Sequence, residues 1–134
     1  MANPESKTTT GLDWRLELVN VPVSDVDRSI DFYVNKVGFN LDHDHTPSDE
    51  IRFVQLTPQG SPASISIGKG LPNSEPGSVK GLQLVVDDIE AAHDQLAERG
   101  VEVSEIDEEP WGRFAYFADP DGNGWVLQLN SRPA

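Results

Sequence analysis

The sequence contains no cysteine, and only 10 Lys and Arg residues accompany 23 Asp and Glu residues. The absence of cysteine excludes disulfide bonds, a thiolate nucleophile and thiolate metal ligands, and it is compatible with a reducing cytosol. The formal charge of −13 disfavours nucleic acids and anionic membranes as partners, because a surface of that sign repels phosphate groups. The same charge favours cationic small molecules.

Long apolar segments are absent as well. No apolar run approaches the roughly 20 residues of a membrane span, and the polar N-terminus has no apolar signal segment. We therefore expect a cytoplasmic protein without a membrane partner. Its 134 residues fit one compact domain or two small halves that share a core. Residues 1–13 begin with polar residues that show no periodicity, and we predict that they form a disordered tail.

The chain shows the same succession of patterns twice. Asp25 and Asp88 each follow a strand-like run and precede a helical stripe, as helix N-caps do. Gly38 and Gly100 close the two stripes. The caps are 88 − 25 = 63 residues apart. Strands are predicted at 16–23, 39–45, 51–56 and 63–67, and again at 82–86, 101–106, 114–117 and 125–129.

This repeat predicts an α+β fold of two tandem βαβββ units. The first unit covers residues 14–70, a linker rich in Pro, Gly and Ser covers 71–78, and the second unit covers 79–130. A sheet with a helix on one face leaves its other face open. Two such units side by side are expected to enclose a shared open cleft, which is where a small-molecule ligand would bind.

Three segments carry a resemblance to a known family: residues 21–39, residues 85–101 and the turn Asp119-Pro120-Asp121-Gly122-Asn123. They resemble the glyoxalase / bleomycin resistance / dioxygenase group, also called the vicinal oxygen chelate superfamily, over about residues 14–130. The resemblance implies the two-repeat fold of that superfamily and a homodimer. It leaves open whether the dimer exchanges its cleft halves between chains.

Metal enzymes of that superfamily resemble one another in carrying His or Glu on the first strand of each half and Glu on the last strand. The matching positions here hold Leu18, Gly81 and Val126, which cannot ligate a metal, so no cofactor is predicted. The alternative is a divalent metal at His43 and His45, which alternate onto one strand face beside acidic residues.

Alternation also predicts which polar side chains face the cleft. Asn20, Gln83 and Gln128 are expected there, as neutral amides that orient a ligand by hydrogen bonds or bond the backbone across the seam between the units. Both interpretations stay open at this point.

Aromatic residues are the other predicted ligand contacts. Tyr116 and Phe53 would add apolar walls to the cleft, unless they pack into the core. Trp111 follows an acidic stretch at residues 105–109. We expect this loop either to be a solvated acidic segment or to form a lip over the cleft, in which Trp111 stacks on a planar ligand and the carboxylates hold a cation.

These patterns favour a metal-free protein that binds and sequesters an apolar or cationic small molecule, similar to the bleomycin-resistance branch. One rival is an enzyme, either a metal-dependent lyase, isomerase or dioxygenase or a metal-free enzyme with Glu17 or His43 as base. A small accessory subunit without chemistry is another. The sequence does not identify a catalytic residue.

Overall fold

The computed structural model describes residues 11–131. The predicted tail therefore lies outside the described residues at positions 1–10. The elements of the first half are β1 (Leu18–Asn20), α1 (Val26–Ile30), a π-helical segment (Asp31–Val37) that continues α1, β2 (Asn40–Ser48), β3 (Ile51–Thr57) and β4 (Ser64–Lys69). Those of the second half are β5 (Leu82–Val86), α2 (Ile89–Glu98), β6 (Asp107–Glu109), β7 (Gly112–Ala118) and β8 (Gly124–Leu129).

Each half forms its own four-stranded mixed sheet. The strand orders are β1-β4-β3-β2 and β5-β8-β7-β6. In both sheets the first strand pairs in parallel with the last strand of its half, and the other pairs are antiparallel. The prediction of an α+β fold with two βαβββ units is confirmed. The residue boundaries of the units and of the linker stay predictions.

The two helices begin in the same way. The side chain of Asp25 accepts a hydrogen bond of 3.1 Å from the backbone N–H of Arg28, and that of Asp88 accepts one of 3.0 Å from Ala91. Each carboxylate thus satisfies one of the N–H groups that a helix start leaves unpaired. These equivalent caps confirm the internal repeat that the sequence predicts.

Aromatic residues join the two halves in one core. The ring centroids of Tyr33 and Phe39, from the first half, lie 5.8 Å and 5.6 Å from that of Trp125 in β8. All three side chains are buried, as are Phe117 and Leu127 on the same face of the second sheet. Each sheet therefore buries one face in a common core and turns its other face outward.

A buried carboxylate reinforces this junction. Asp119 accepts hydrogen bonds from the Tyr33 hydroxyl (2.7 Å) and from Nδ2 of Asn123 (2.8 Å). Burial and the charge of Asp119 raise the pKa of Tyr33 far above its usual range, so that the phenol stays a donor. Nδ2 of Asn123 also donates to the carbonyl oxygen of Pro22 at 2.8 Å, and the Trp125 indole N–H donates to the Tyr33 hydroxyl at 3.0 Å.

Two strand predictions need correction. Residues 101–106 do not form a strand, although Val101 is buried and Val103 packs on the core. Their alternation reflects packing, and the segment makes a backbone hydrogen bond to β7 from Ser104 N–H to the Tyr116 carbonyl. β2 runs on to Ser48 instead of turning at Pro47. Because β2 is an edge strand, it tolerates Pro, which has no backbone N–H to donate to a neighbouring strand.

No helix within residues 11–131 has the length and apolar character needed to span a membrane.

Candidate functional site

The open face of the second sheet carries two rows of side chains. Strand register places Gln83, Val126 and Tyr116 side by side across β5, β8 and β7. The next row on the same face contains Gln128 beside Phe114. Side chains two residues apart on a strand share a face. The residues between them in each strand point to the opposite face, which packs on the core.

A cavity of about 480 Å³ lies over this face. Three of the predicted ligand contacts line it together with Trp111: the amides Gln83 and Gln128 and the ring of Tyr116. Trp111 is 72% exposed and Tyr116 is 44% exposed. Large aromatic surfaces left in contact with water beside a cavity are typical of a binding site rather than of core packing.

Two carboxylates line the same cavity. Asp107 and Glu109 alternate along β6 onto one face. A hydrogen bond shared with Asp107, together with repulsion from its charge, raises the pKa of Glu109 above the usual range. A cation placed between the two groups would relieve this repulsion.

An arginine holds the β6–β7 hairpin against α2. Arg113 donates to Glu90 of α2 at 2.6 Å, and its Nε lies 3.4 Å from Glu108. The hydrogen bond from Arg113 lowers the pKa of Glu90. This contact joins the β6–β7 hairpin to α2, with Arg113 half-buried and the two glutamates exposed.

The open face of the first sheet is polar. Nδ2 of Asn20 donates to Oγ of Ser66 at 2.9 Å, and Nε2 of Gln55 donates to Oγ of Ser64 at 3.3 Å. Both serines are buried. Oδ1 of Asn20 is buried without a hydrogen-bond partner in the described part of the chain, so it is an acceptor that a ligand could satisfy.

Asn20 and Phe53 are not brought to the cavity on the second sheet. Phe53 pairs with His45 across β3 and β2, on the face that also carries Gln55. The site residues predicted from sequence thus fall on two open faces, four on the second sheet and two on the first. A cleft shared by both faces stays a prediction, and so do the roles of these six residues.

The histidine pair lies on the outer strand of the first sheet. The rings of His43 and His45 are stacked with centroids 5.6 Å apart. Their acidic neighbours are engaged elsewhere. Asp42 accepts a hydrogen bond from the Thr57 hydroxyl, which lowers its pKa, and Asp44 forms an ion pair of 2.9 Å with Arg52.

The donor groups do not fit the metal centre that the fold implies. Leu18 pairs with Ser64, and Val126 lies between Gln83 and Tyr116, so the register offers no carboxylate or imidazole at these positions. Within residues 11–131 no three His, Asp or Glu side chains are grouped so that they could hold a metal ion. The hydroxyls and amides present are weak ligands for first-row metals.

Sequence reasoning missed Phe114 and Gln55, which are half-buried neighbours of the predicted contacts. Strand alternation contained this signal, because Phe114 and Gln55 are each two residues from a predicted contact, Tyr116 and Phe53. Asp107 and Glu109 were predicted only as members of a loop, and β6 gives them a defined face.

Comparison with known proteins agrees with this architecture. The sequence matches the model of the Glyoxalase/Bleomycin resistance protein/Dioxygenase superfamily over residues 15–127. The chain belongs to this superfamily. The resemblance seen in the sequence is thereby confirmed.

Several known proteins are similar to this chain over nearly their whole length. TnmS3, an antibiotic binding protein from Streptomyces sp. CB03234, is 42% identical, with 89% of this chain and 98% of that chain covered and a TM-score of 0.80. A glyoxalase/bleomycin resistance protein from the same strain is 43% identical, with 85% and 99% covered and a TM-score of 0.74. The uncharacterized protein YetH of Bacillus subtilis is 28% identical, with 82% and 93% covered.

Proposed function

We propose that this protein binds and sequesters a planar aromatic cation of the antibiotic type, without a metal, on the open face of its second sheet. The observation that carries the proposal is the cavity of about 480 Å³ in which exposed Trp111 and Tyr116 accompany Asp107 and Glu109. The similarity to an antibiotic binding protein supports it. The lack of cysteine supports a cytoplasmic location.

The chemistry of the cavity selects the ligand class. Flat π faces favour planar ligands, and a cation over such a face is attracted by the ring quadrupole. The carboxylates Asp107 and Glu109 attract the same charge, and the net charge of −13 steers cations toward the protein. Gln83 and Gln128 supply hydrogen bonds that fix the orientation of the ligand.

A titration with acridine orange, a planar aromatic cation, tests this function. We expect saturable binding at one equivalent per chain, followed by dye fluorescence, with the same Kd before and after EDTA treatment. Acridone, a neutral planar analogue, should bind more weakly because it lacks the charge. Absence of saturable dye binding would contradict the proposed function, and loss of binding after EDTA would contradict its metal-free form.

Dye binding should tighten as the pH rises through the acidic range above the ordinary pKa of glutamate. The raised pKa of Glu109 arises from Asp107, the charged group beside it on β6. A bound cation lowers this pKa, so binding releases a proton and is favoured at higher pH. The stability of the unliganded fold has the opposite pH dependence. The protonated Asp107–Glu109 pair stabilises the fold below this pH range, and that stability is lost as the pH rises.

Glu109→Gln provides the matched variant for this titration. It should bind the dye more weakly at neutral pH and show a flatter pH profile, because the coupled proton is gone. Glu108→Gln removes the same charge from the neighbouring position of β6, which does not line the cavity, and should keep the profile. Equal pH profiles in the parent and Glu109→Gln would contradict the assignment.

We also propose that the protein is a homodimer. Trp14 and Leu16, just before β1, are 83% and 68% exposed, and they alternate like one face of a strand. Exposed apolar side chains in such a row are typical of a protein interface.

Replacing both Trp14 and Leu16 with serine should therefore shift the protein from dimer to monomer. The expected change is a halved mass in size-exclusion chromatography with light scattering. Leu41→Ser, which also removes an exposed apolar side chain, is the control and should keep the dimer. A monomeric parent protein at micromolar concentration would refute this proposal.

A further inference from the structure

A second cavity, of about 380 Å³, lies on the core side of the second sheet. It opens between β5, α2 and the residues that connect α1 to β2. Its floor consists of the buried side chains Phe39, Leu96, Phe117 and Leu127. Its volume is in the range of small-molecule sites, and its walls are mostly apolar as such sites require.

This cavity is distinct from the candidate site. Phe117 and Leu127 line it, whereas their strand neighbours Tyr116, Val126 and Gln128 line the cavity on the opposite face. Successive residues of a strand point to opposite faces, so β7 and β8 separate the two spaces. A ligand in one cavity therefore contacts different side chains from a ligand in the other.

An arginine with no ion-pair partner in the described part of the chain lies at the edge of the second cavity. Arg99, the C-cap residue of α2, lines it. None of the ion pairs within residues 11–131 includes this side chain. Its Nη1 lies 3.5 Å from the place that a Cβ on Gly38 would occupy, and Gly38 lines the same cavity.

An unpaired arginine is unusual in this chain, because acidic residues outnumber basic ones by 23 to 10. A guanidinium carries a fixed fork of donors that matches a carboxylate. The apolar walls of the cavity suit a ligand with a hydrocarbon or aromatic body. The single cation at its edge suits a ligand that also carries one negative group.

We propose that this second cavity binds an apolar monocarboxylate. The carboxylate pairs with the guanidinium of Arg99, and the apolar body packs on Leu84, Phe117 and Leu127. A purely structural account of Arg99 is that its charge neutralises the C-terminal end of the π-helical segment, which ends at Val37 next to Gly38. That account predicts an effect of Arg99 on stability but none on carboxylate binding.

Isothermal titration with decanoate and with 2-naphthoate tests the proposal on the full-length protein. We expect saturable binding of at least one of them at one equivalent per chain, with decanol weaker than decanoate. In methyl-resolved NMR spectra the Leu84 and Leu127 signals should shift. Arg99→Gln should weaken carboxylate binding at least about tenfold, because a charge-assisted hydrogen bond is lost.

Two further variants separate this site from other effects. Arg15→Gln removes the same charge at an exposed position in the segment before β1 and should leave the affinity unchanged. Ala92→Leu fills the cavity from α2 and should abolish binding with Arg99 intact; thermal unfolding checks its fold. The proposal is overturned if neither acid binds, if Arg99→Gln binds like the parent, or if the methyl shifts map to Val126 of the other cavity.

Discussion

Replacing Asp119 with alanine should lower the free energy of unfolding by about 3–5 kcal/mol. The carboxylate is buried and accepts four hydrogen bonds, from the Tyr33 hydroxyl, from Nδ2 and the backbone N–H of Asn123, and from the backbone N–H of Asp121. Alanine leaves these donors without a partner in a site that water enters only at a cost. Because Tyr33 belongs to the first half and Asp119 to the second, the loss falls on the junction between them.

Urea unfolding followed by Trp fluorescence measures this effect. Asp25→Ala is the matched control, because it removes a carboxylate that also accepts a hydrogen bond but lies at an exposed helix start. Its expected cost is about 1 kcal/mol, as for other N-caps. Similar losses for the two variants would mean that the Asp119 network contributes no more than one exposed hydrogen bond.

The sequence predicts those parts of the fold that local chemistry determines. Asp25 and Asp88 cap their helices because a carboxylate satisfies free N–H groups wherever a helix begins. Gly38 and Gly100 adopt φ values of 100° and 86° just after the helical segments, a conformation that other residues avoid. Alternation also turns Gln83 away from the core, because Leu82 and Leu84 on either side of it in β5 pack there.

Other features depend on contacts that no local pattern reports. Val103 alternates like a strand residue yet packs on the core without a ladder, whereas the acidic β6 pairs with β7 despite a composition that strands avoid. Alternation likewise places Asn20 and Gln83 on open faces but contains no information on how those faces meet. The sequence assigns the two amides to separate units, but it could not show whether their faces form one site.

Trp111 lies in the turn between β6 and β7 and lines the cavity of about 480 Å³ on the second sheet. It is 72% exposed. Trp111→Ala should weaken acridine orange binding by about 10- to 100-fold, because stacking of a planar ligand on an aromatic ring contributes roughly 1–3 kcal/mol and the cation adds to it. Its exposure also means that little packing is lost, so the melting temperature should stay within about 2 °C of the parent value. The same titration that tests the proposed function measures the effect.

Two replacements at this position separate stacking from simple apolar contact. Trp111→Phe keeps a π face and should retain most of the affinity, whereas Trp111→Leu keeps apolar area without a π face and should resemble Trp111→Ala. The ratio of the Phe and Leu affinities therefore isolates the contribution of the ring quadrupole. If the Leu and Phe variants bind the dye equally well, Trp111 contributes apolar burial alone and the preference for cations has to come from Asp107 and Glu109.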